Sequence, residues 1–334
     1  MLSAFPRVDL AGGPTPLEPM RRVGSKLGHP QLWVKRDDCM PLAFGGNKVR
    51  SLEFWLGEAR ALGCDMLLVA GGLASNQCRL TAAAGAKIGL DTVVLYAGDA
   101  DAPLCGNALL TERFGARIRR LGPVDETERG RLARGAVAEF EAAGRRPYLI
   151  GDPIRGALGY ARAALELAEQ AWSANLDLRH LVLPGSMGPT EAGMIYGAAV
   201  LGLPWTFHLP SVEYPADVLQ RRVEEIVAGV ARLVGREPPP DWLGRVRIDM
   251  RQLGEGYGIA TPASLKAARL FAEHEALVIE QTYVAKAFAG LLSAIEDGTI
   301  PPDEAACIVH TGGTPSLFEQ DRLPPVDPGD VSAR

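Results

Sequence analysis

The chain has 334 residues, room for two packed lobes, because single cores stop growing near about 250–300 residues. A formal net charge of -5, with basic residues interleaved with acids, gives no electrostatic footprint for a nucleic acid. There is no apolar run long enough to cross a membrane and no signal-peptide pattern at the first residues, so a cytoplasmic protein is expected.

Residues 1–30 are rich in proline and glycine, and 15–17 read as an extended segment leading to a short strand at 31–35. Arg36-Asp37-Asp38 reads as a charged turn, and Gly45-Gly46 closes the approach to Lys48. Val49, Leu52, Leu56 and Ala59 recur at spacings of three and four, which predicts an amphipathic helix over 48–62 with Lys48 in its first turn. A cation at that end opposes the helix dipole, so its placement points to chemistry. A lysine near positive potential and partly out of water has a lowered pKa, and the neutral amine is the form that condenses with a carbonyl.

A regular alternation follows. Apolar runs at 66–70, 92–96, 116–121, 180–183, 206–209, 246–249 and 306–310 read as strands. Helices are predicted at 79–88, 104–114, 126–143, 156–175, 191–201, 217–234, 262–274 and 283–296. Apolar strands separated by helices imply parallel strands covered on both faces, an α/β protein. The proline-rich piece 235–240 reads as a loop, and the tail after Leu323 as a frayed end. The five cysteines, Cys39, Cys64, Cys78, Cys105 and Cys307, and the five histidines are scattered, so neither a disulfide framework nor a metal site is expected.

In parallel sheets ligands gather at the carboxyl ends of strands. Three glycine-rich loops follow such ends, at 71–77, 184–190 and 311–315. The second, Pro184-Gly185-Ser186-Met187-Gly188-Pro189-Thr190, resembles a phosphate cup: small residues admit backbone N–H groups, Thr190 adds a hydroxyl and the next helix its positive end. It has neither a Walker lysine nor the Gly-x-Gly-x-x-Gly spacing, which disfavours a nucleoside triphosphate or NAD. The first loop ends in Ser75-Asn76, a hydroxyl and an amide ahead of a helix, with a plain N-cap as the structural alternative. A poised lysine, an anion-binding turn without its own lysine and a polar strand-end loop are together what pyridoxal phosphate requires. That cofactor bonds a lysine through its aldehyde and takes up electrons when a bond at the substrate's α-carbon breaks.

Lys35-Arg36-Asp37-Asp38, Ala43-Phe44-Gly45-Gly46-Asn47-Lys48-Val49-Arg50, Ser75-Asn76, Gly256-Tyr257-Gly258, Tyr283 with Lys286, and His310-Thr311-Gly312-Gly313-Thr314-Pro315 carry a wider likeness. From about residue 15 to residue 318 the chain resembles the 1-aminocyclopropane-1-carboxylate deaminase and D-cysteine desulfhydrase family, within the tryptophan-synthase-β-like, fold type II pyridoxal-phosphate enzymes. The resemblance implies two lobes, each a mostly parallel twisted sheet flanked by helices, with the cofactor between them. The large lobe would comprise 1–49 and 160–334 and the small one 50–159, in a homodimer.

By the same resemblance Lys48 would hold the cofactor and move the α-proton, and Asn76 would bond the ring oxygen. Ser75 would meet the substrate carboxylate or assist proton transfer, and Gly185, Ser186, Gly188 and Thr190 would cradle the phosphate. Tyr257 and Tyr283, with Gln77, would face the substrate, and Thr311 would reach the pyridine nitrogen. The chain departs from the family pattern at Gln77, where a histidine is common, and at Ser51, where a second lysine is common. It departs again at Met187 and Pro189 in the cup, and at Val284, where the deaminase has a glutamate. The expected activity is a lyase or deaminase on a small amino acid, by α,β-elimination to a 2-oxo acid and ammonia. Alternatives are β-replacement on the same fold, or a protein that binds the cofactor or an amino acid without turning it over. By the resemblance, D-cysteine or a related β-substituted alanine is the expected substrate.

Overall fold

The computed structural model describes residues 2 to 319, so the tail after Leu323 lies outside the described residues. The strands are β1 (Leu17–Pro19), β2 (Leu32–Arg36), β3 (Met66–Gly72), β4 (Asp91–Ala97), β5 (Arg117–Gly122), β6 (Pro147–Leu149), β7 (Leu178–Val182), β8 (Thr206–Pro210), β9 (Val246–Asp249) and β10 (Ala305–His310). The helices are α1 (Arg21–Leu27), α2 (Lys48–Ala61), α3 (Asn76–Ile88), α4 (Gly106–Arg113), α5 (Glu126–Ala142), α6 (Pro153–Ser173), α7 (Pro189–Leu201), α8 (Ala216–Val234), α9 (Pro262–Glu275) and α10 (Val284–Glu296).

Two sheets result, ordered β1-β2-β10-β7-β8-β9 and β5-β4-β3-β6. All pairings are parallel except β1 with β2. The apolar runs dictate the layers. Met66 and Leu68 of β3 face α5 through Ala133, Ala136 and Phe140, while Leu67 and Val69 pack with α2 and α3 on the other face. In the larger sheet β10 is buried along its whole length between β2 and β7, with Ile308 level with both Val34 and Val182. Helices α6, α7 and α8 cover one face of that sheet, and α9 and α10 the other.

The structure adds three elements to the predicted ones. The short helix α1 and strand β6 lie in proline- and glycine-containing sequence too brief for periodicity to register, and β1 pairs antiparallel where an extended segment was expected. Helix α3 begins three residues before the predicted start, because the Ser75 hydroxyl accepts the Cys78 N–H at 3.2 Å and turns Asn76 and Gln77 into its first turn. No described helix is long and apolar enough to cross a membrane.

Candidate active site

The lysine is seated by a turn that only glycine can complete. Ala43, Phe44, Gly45 and Gly46 all take positive φ (45°, 67°, 59° and 114°), a conformation disfavoured for the first two. A Cβ on Gly45 would stand 2.5 Å from the Asp38 carbonyl oxygen, and one on Gly46 would stand 2.9 Å from that of Thr311. The Asn47 N–H then donates to the Thr311 carbonyl at 2.9 Å, so the turn before Lys48 and the loop after β10 are stitched backbone to backbone.

Behind the lysine, the start of α2 is clamped from within. Arg50 bonds both Asp37 oxygens at 2.9 and 2.7 Å and reaches Glu166 on α6 at 2.8 Å. The Tyr160 hydroxyl also donates to Asp37. Burial pushes the Asp37 pKa up, but the Arg50 charge and its hydrogen bonds overrule that and hold it below the usual carboxylate range. What reads in sequence as a charged turn is therefore a buried anchor, because the partners of Asp37 come from distant elements.

Lys48 opens α2, partly accessible to the cleft. Burial lowers its pKa, against an opposing pull from the carboxylates of Glu191 and Glu213. The neighbouring Asn47 amide donates to the Thr190 hydroxyl oxygen at 2.9 Å, which ties the N-termini of α2 and α7 together and leaves the Thr190 O–H free to donate elsewhere.

At the loop expected to form the cup, most backbone N–H groups are already bonded within the protein. The Gly185 N–H is taken by the Pro210 carbonyl at 2.9 Å. The N–H groups of Ser186 and Gly188 go to Glu191 Oε1 at 2.7 and 3.2 Å, and the Ser186 hydroxyl donates to Glu213. Pro189 has no N–H to give. An anion at this end of α7 would meet the Thr190 hydroxyl and the outward N–H groups of Met187 and Thr190. Sequence reasoning missed both acids. Glu191 had a signal, since a glutamate three residues into a helix back-bonds to its start; Glu213 had none.

Next to β3 of the small sheet, α3 carries Ser75, Asn76 and Gln77 at its start. Asn76 Oδ1 is buried without a partner, an unusual state for a polar atom and one that a bound group would relieve. Cys78 beneath it is an inert filler, its thiol pushed up to about 12 by burial. The hydroxyls of Tyr257 and Tyr283 bond each other, with ring centroids 5.5 Å apart edge to face. Burial raises Tyr257 to about 12 and holds Tyr283 well above the usual phenol range, so both phenols keep their protons at neutral pH.

Lys286 holds this pair. Its ammonium donates to the carbonyls of Leu253 and Gly256 at 2.9 and 2.8 Å, fixing the loop that carries Tyr257. Val284 is fully buried in the core, and the nearest acid is instead Glu280, which accepts the N–H groups of Thr282, Tyr283 and Val284 at 2.7, 2.9 and 2.8 Å and packs against Gly313. Thr311 is buried beside the Gly46 turn, its carbonyl committed to Asn47.

The structure thus ties Thr190 and Thr311 to the turn before Lys48 through Asn47, and ties α3, which starts at Ser75 and Asn76, to the same turn by the 2.9 Å bond from Arg79 to the Gly45 carbonyl. The residues fit pyridoxal phosphate: an amine with lowered basicity, a buried amide awaiting a partner, and a helix N-terminus with a free hydroxyl.

The family model described as pyridoxal-phosphate dependent enzyme matches residues 8–312. The D-cysteine desulfhydrase of Serratia proteamaculans (strain 568) is 35% identical over 328 residues, 95% of this chain and 96% of that protein. The D-cysteine desulfhydrase of Salmonella paratyphi B is 33% identical over 95% of this chain and 97% of its own length. Among solved structures, an ACC deaminase homologue superposes with a TM-score of 0.87 at 28% identity, covering 96% of this chain and 95% of that one.

Proposed function

The chain belongs to the pyridoxal-phosphate dependent enzymes, and from that premise we propose that its substrate is D-cysteine, cleaved with water to pyruvate, ammonia and hydrogen sulfide. It is a lyase that works by α,β-elimination. Lys48, Asn76 and Thr190 would hold the cofactor, with the N–H groups at the start of α7. When bound, pyridoxal phosphate supplies an electron sink for the pair left as the Cα–H bond breaks.

The rest falls to the chain's own groups. Lys48, its basicity reduced by burial, takes the α-proton. Ser75 bonds the substrate carboxylate from the start of α3. Tyr257 and Tyr283 share a hydrogen bond and stay protonated, so the pair can donate a hydrogen bond to the sulfur as it departs while keeping the proton. This pair of hydrogen-bonded phenols is the observation that carries the reading, because their O–H groups can stabilise the negative charge on the sulfur as it departs.

The test is sulfide and 2-oxo-acid release from D-cysteine, L-cysteine and β-chloro-D-alanine. We expect D-cysteine to lead, Lys48→Ala to lose both product and the yellow colour, and Tyr283→Phe to lower kcat by about 10²-fold or more. Release from L-cysteine alone would overturn the substrate assignment. All five cysteines are free, which supports a cytoplasmic reading. The homodimer is carried by the family resemblance, and light scattering of the same preparation reads it.

A further inference from the structure

Arg79 lies in the first turn of α3, just past Asn76, and is fully buried, as is Asn107 in α4. Its guanidinium works as a fork. One branch donates to the Gly45 carbonyl at 2.9 Å, in the turn before Lys48, and the other to Asn107 Oδ1 at 2.9 Å. That second bond decides which way the Asn107 amide faces, because an amide turned over would set its NH2 against the guanidinium. Asn107 Nδ2 then donates to the Ala74 carbonyl at 2.9 Å, directly before Ser75, and to the Ser316 hydroxyl at 2.9 Å, past the loop that follows β10. Two site-bearing turns and the segment after β10 thus hang on one buried node. An apolar side chain would fill this space at less cost, since a guanidinium is seldom buried whole. What arginine adds is direction: its charge-assisted bonds hold each acceptor at a set place.

We propose that Arg79, with Asn107 as its relay, is a positioning residue that sets the spacing between the Lys48 amine and the Ser75–Asn76 pair. The inference rests on the pyridoxal-phosphate site described above, in which Lys48 takes the α-proton, Asn76 meets the cofactor and Ser75 the substrate carboxylate. The Asn47 N–H fixes the lysine turn to the loop after β10, and the Ser75 hydroxyl caps α3, but neither bond joins the one to the other. The Arg79 fork does. Cofactor and substrate are gripped from both sides of this spacing, so cofactor affinity reads the node as directly as turnover does.

The experiment compares two variants of the full-length chain with wild type. Asn107→Asp keeps an acceptor for Arg79, and with it a buried ion pair, but has no N–H for the Ala74 carbonyl. Arg79→Lys keeps the charge but offers a single ammonium in place of the fork. In both, the Kd for pyridoxal phosphate, read from the yellow absorption band, should rise about tenfold, the equivalent of about one hydrogen bond. The kcat for sulfide release from D-cysteine should fall about 10²-fold with KM changing less. The kinetic isotope effect of substrate deuterated at Cα should grow, because a misplaced Lys48 slows the proton step. A merely structural node would lower the melting temperature of the cofactor-free chain and the active fraction, while the folded remainder kept its Kd and isotope effect. That result, or variants equal to wild type, would overturn the inference. A wild type that forms no band overturns the cofactor assignment beneath; one that forms a band but releases no sulfide overturns the substrate assignment, and the Kd comparison still decides this inference.

Discussion

At the scale of single residues, the position of Lys48 depends on what its neighbours lack. Gly46 has φ 114° and its absent Cβ leaves 2.9 Å to the Thr311 oxygen, so both the angle and the space exclude any other residue. We expect Gly46→Ala to destabilise the fold by about 2–4 kcal/mol and to loosen the cofactor, read as a lower melting temperature and a faster loss of yellow colour on dialysis. A variant as stable as wild type with unchanged cofactor retention would count against the turn's role. The sequence made this seat legible through Gly45-Gly46-Asn47-Lys48, because glycine before a helix start is a local signal. It left Glu213 unread, since its bond to Ser186 depends on a loop brought up from elsewhere in the chain, while the inner bonds of Glu191 are local and follow from its place three residues into a helix.

At the scale of elements, the helices act by their ends. The start of α2 meets the lysine turn, the start of α3 presents Ser75 and Asn76, the start of α7 closes the cup, and the start of α10 is capped by Glu280. Most of these elements were legible from apolar runs at the right period, and α2 and β9 begin where the periodicity places them. The misses, α1 and β6, are short and owe their shape to packing. Lys286 acts from inside α10 on a loop about thirty residues away in sequence, a link with no local pattern. Replacing it with methionine keeps the bulk but abandons the carbonyls of Leu253 and Gly256, at about 1–3 kcal/mol. The loop carrying Tyr257 should then wander, with kcat falling while Lys48 still takes up cofactor with its normal absorption. A loss of absorption equal to the loss of kcat would show a general collapse instead.

At the scale of the whole molecule, the large sheet carries an acid-sensitive seam between β7 and β8. His180 on β7 bonds His208 on β8 at 2.9 Å and Glu304 at 2.7 Å, and His29 is buried close by. Burial lowers His29, and burial with the His180 charge lowers His208 to about 3. A base whose folded pKa is depressed binds its proton in the unfolded chain first, so this stability is complete above about pH 6.5 and drains away as the pH falls toward the folded value. His208 alone should cost about 2 kcal/mol by about pH 5, and Asp37 and Glu166, held low by their partners, add to the loss at lower pH still. Melting temperatures between about pH 7 and 5 should fall steeply, and His208→Gln should flatten that slope; an unchanged slope in the variant would locate the sensitivity elsewhere.

The place of β10 has a consequence for the order of events in the making of the protein. This strand, the last among the described residues, joins β2 to β7, and the loop that follows it supplies the oxygen to which Asn47 is stitched. A chain still on the ribosome short of His310 therefore holds the lysine without its seat and two part-sheets with nothing between them. Loading with cofactor belongs to the finished polypeptide, and any truncation that removes β10 abolishes the site at the chain's other end.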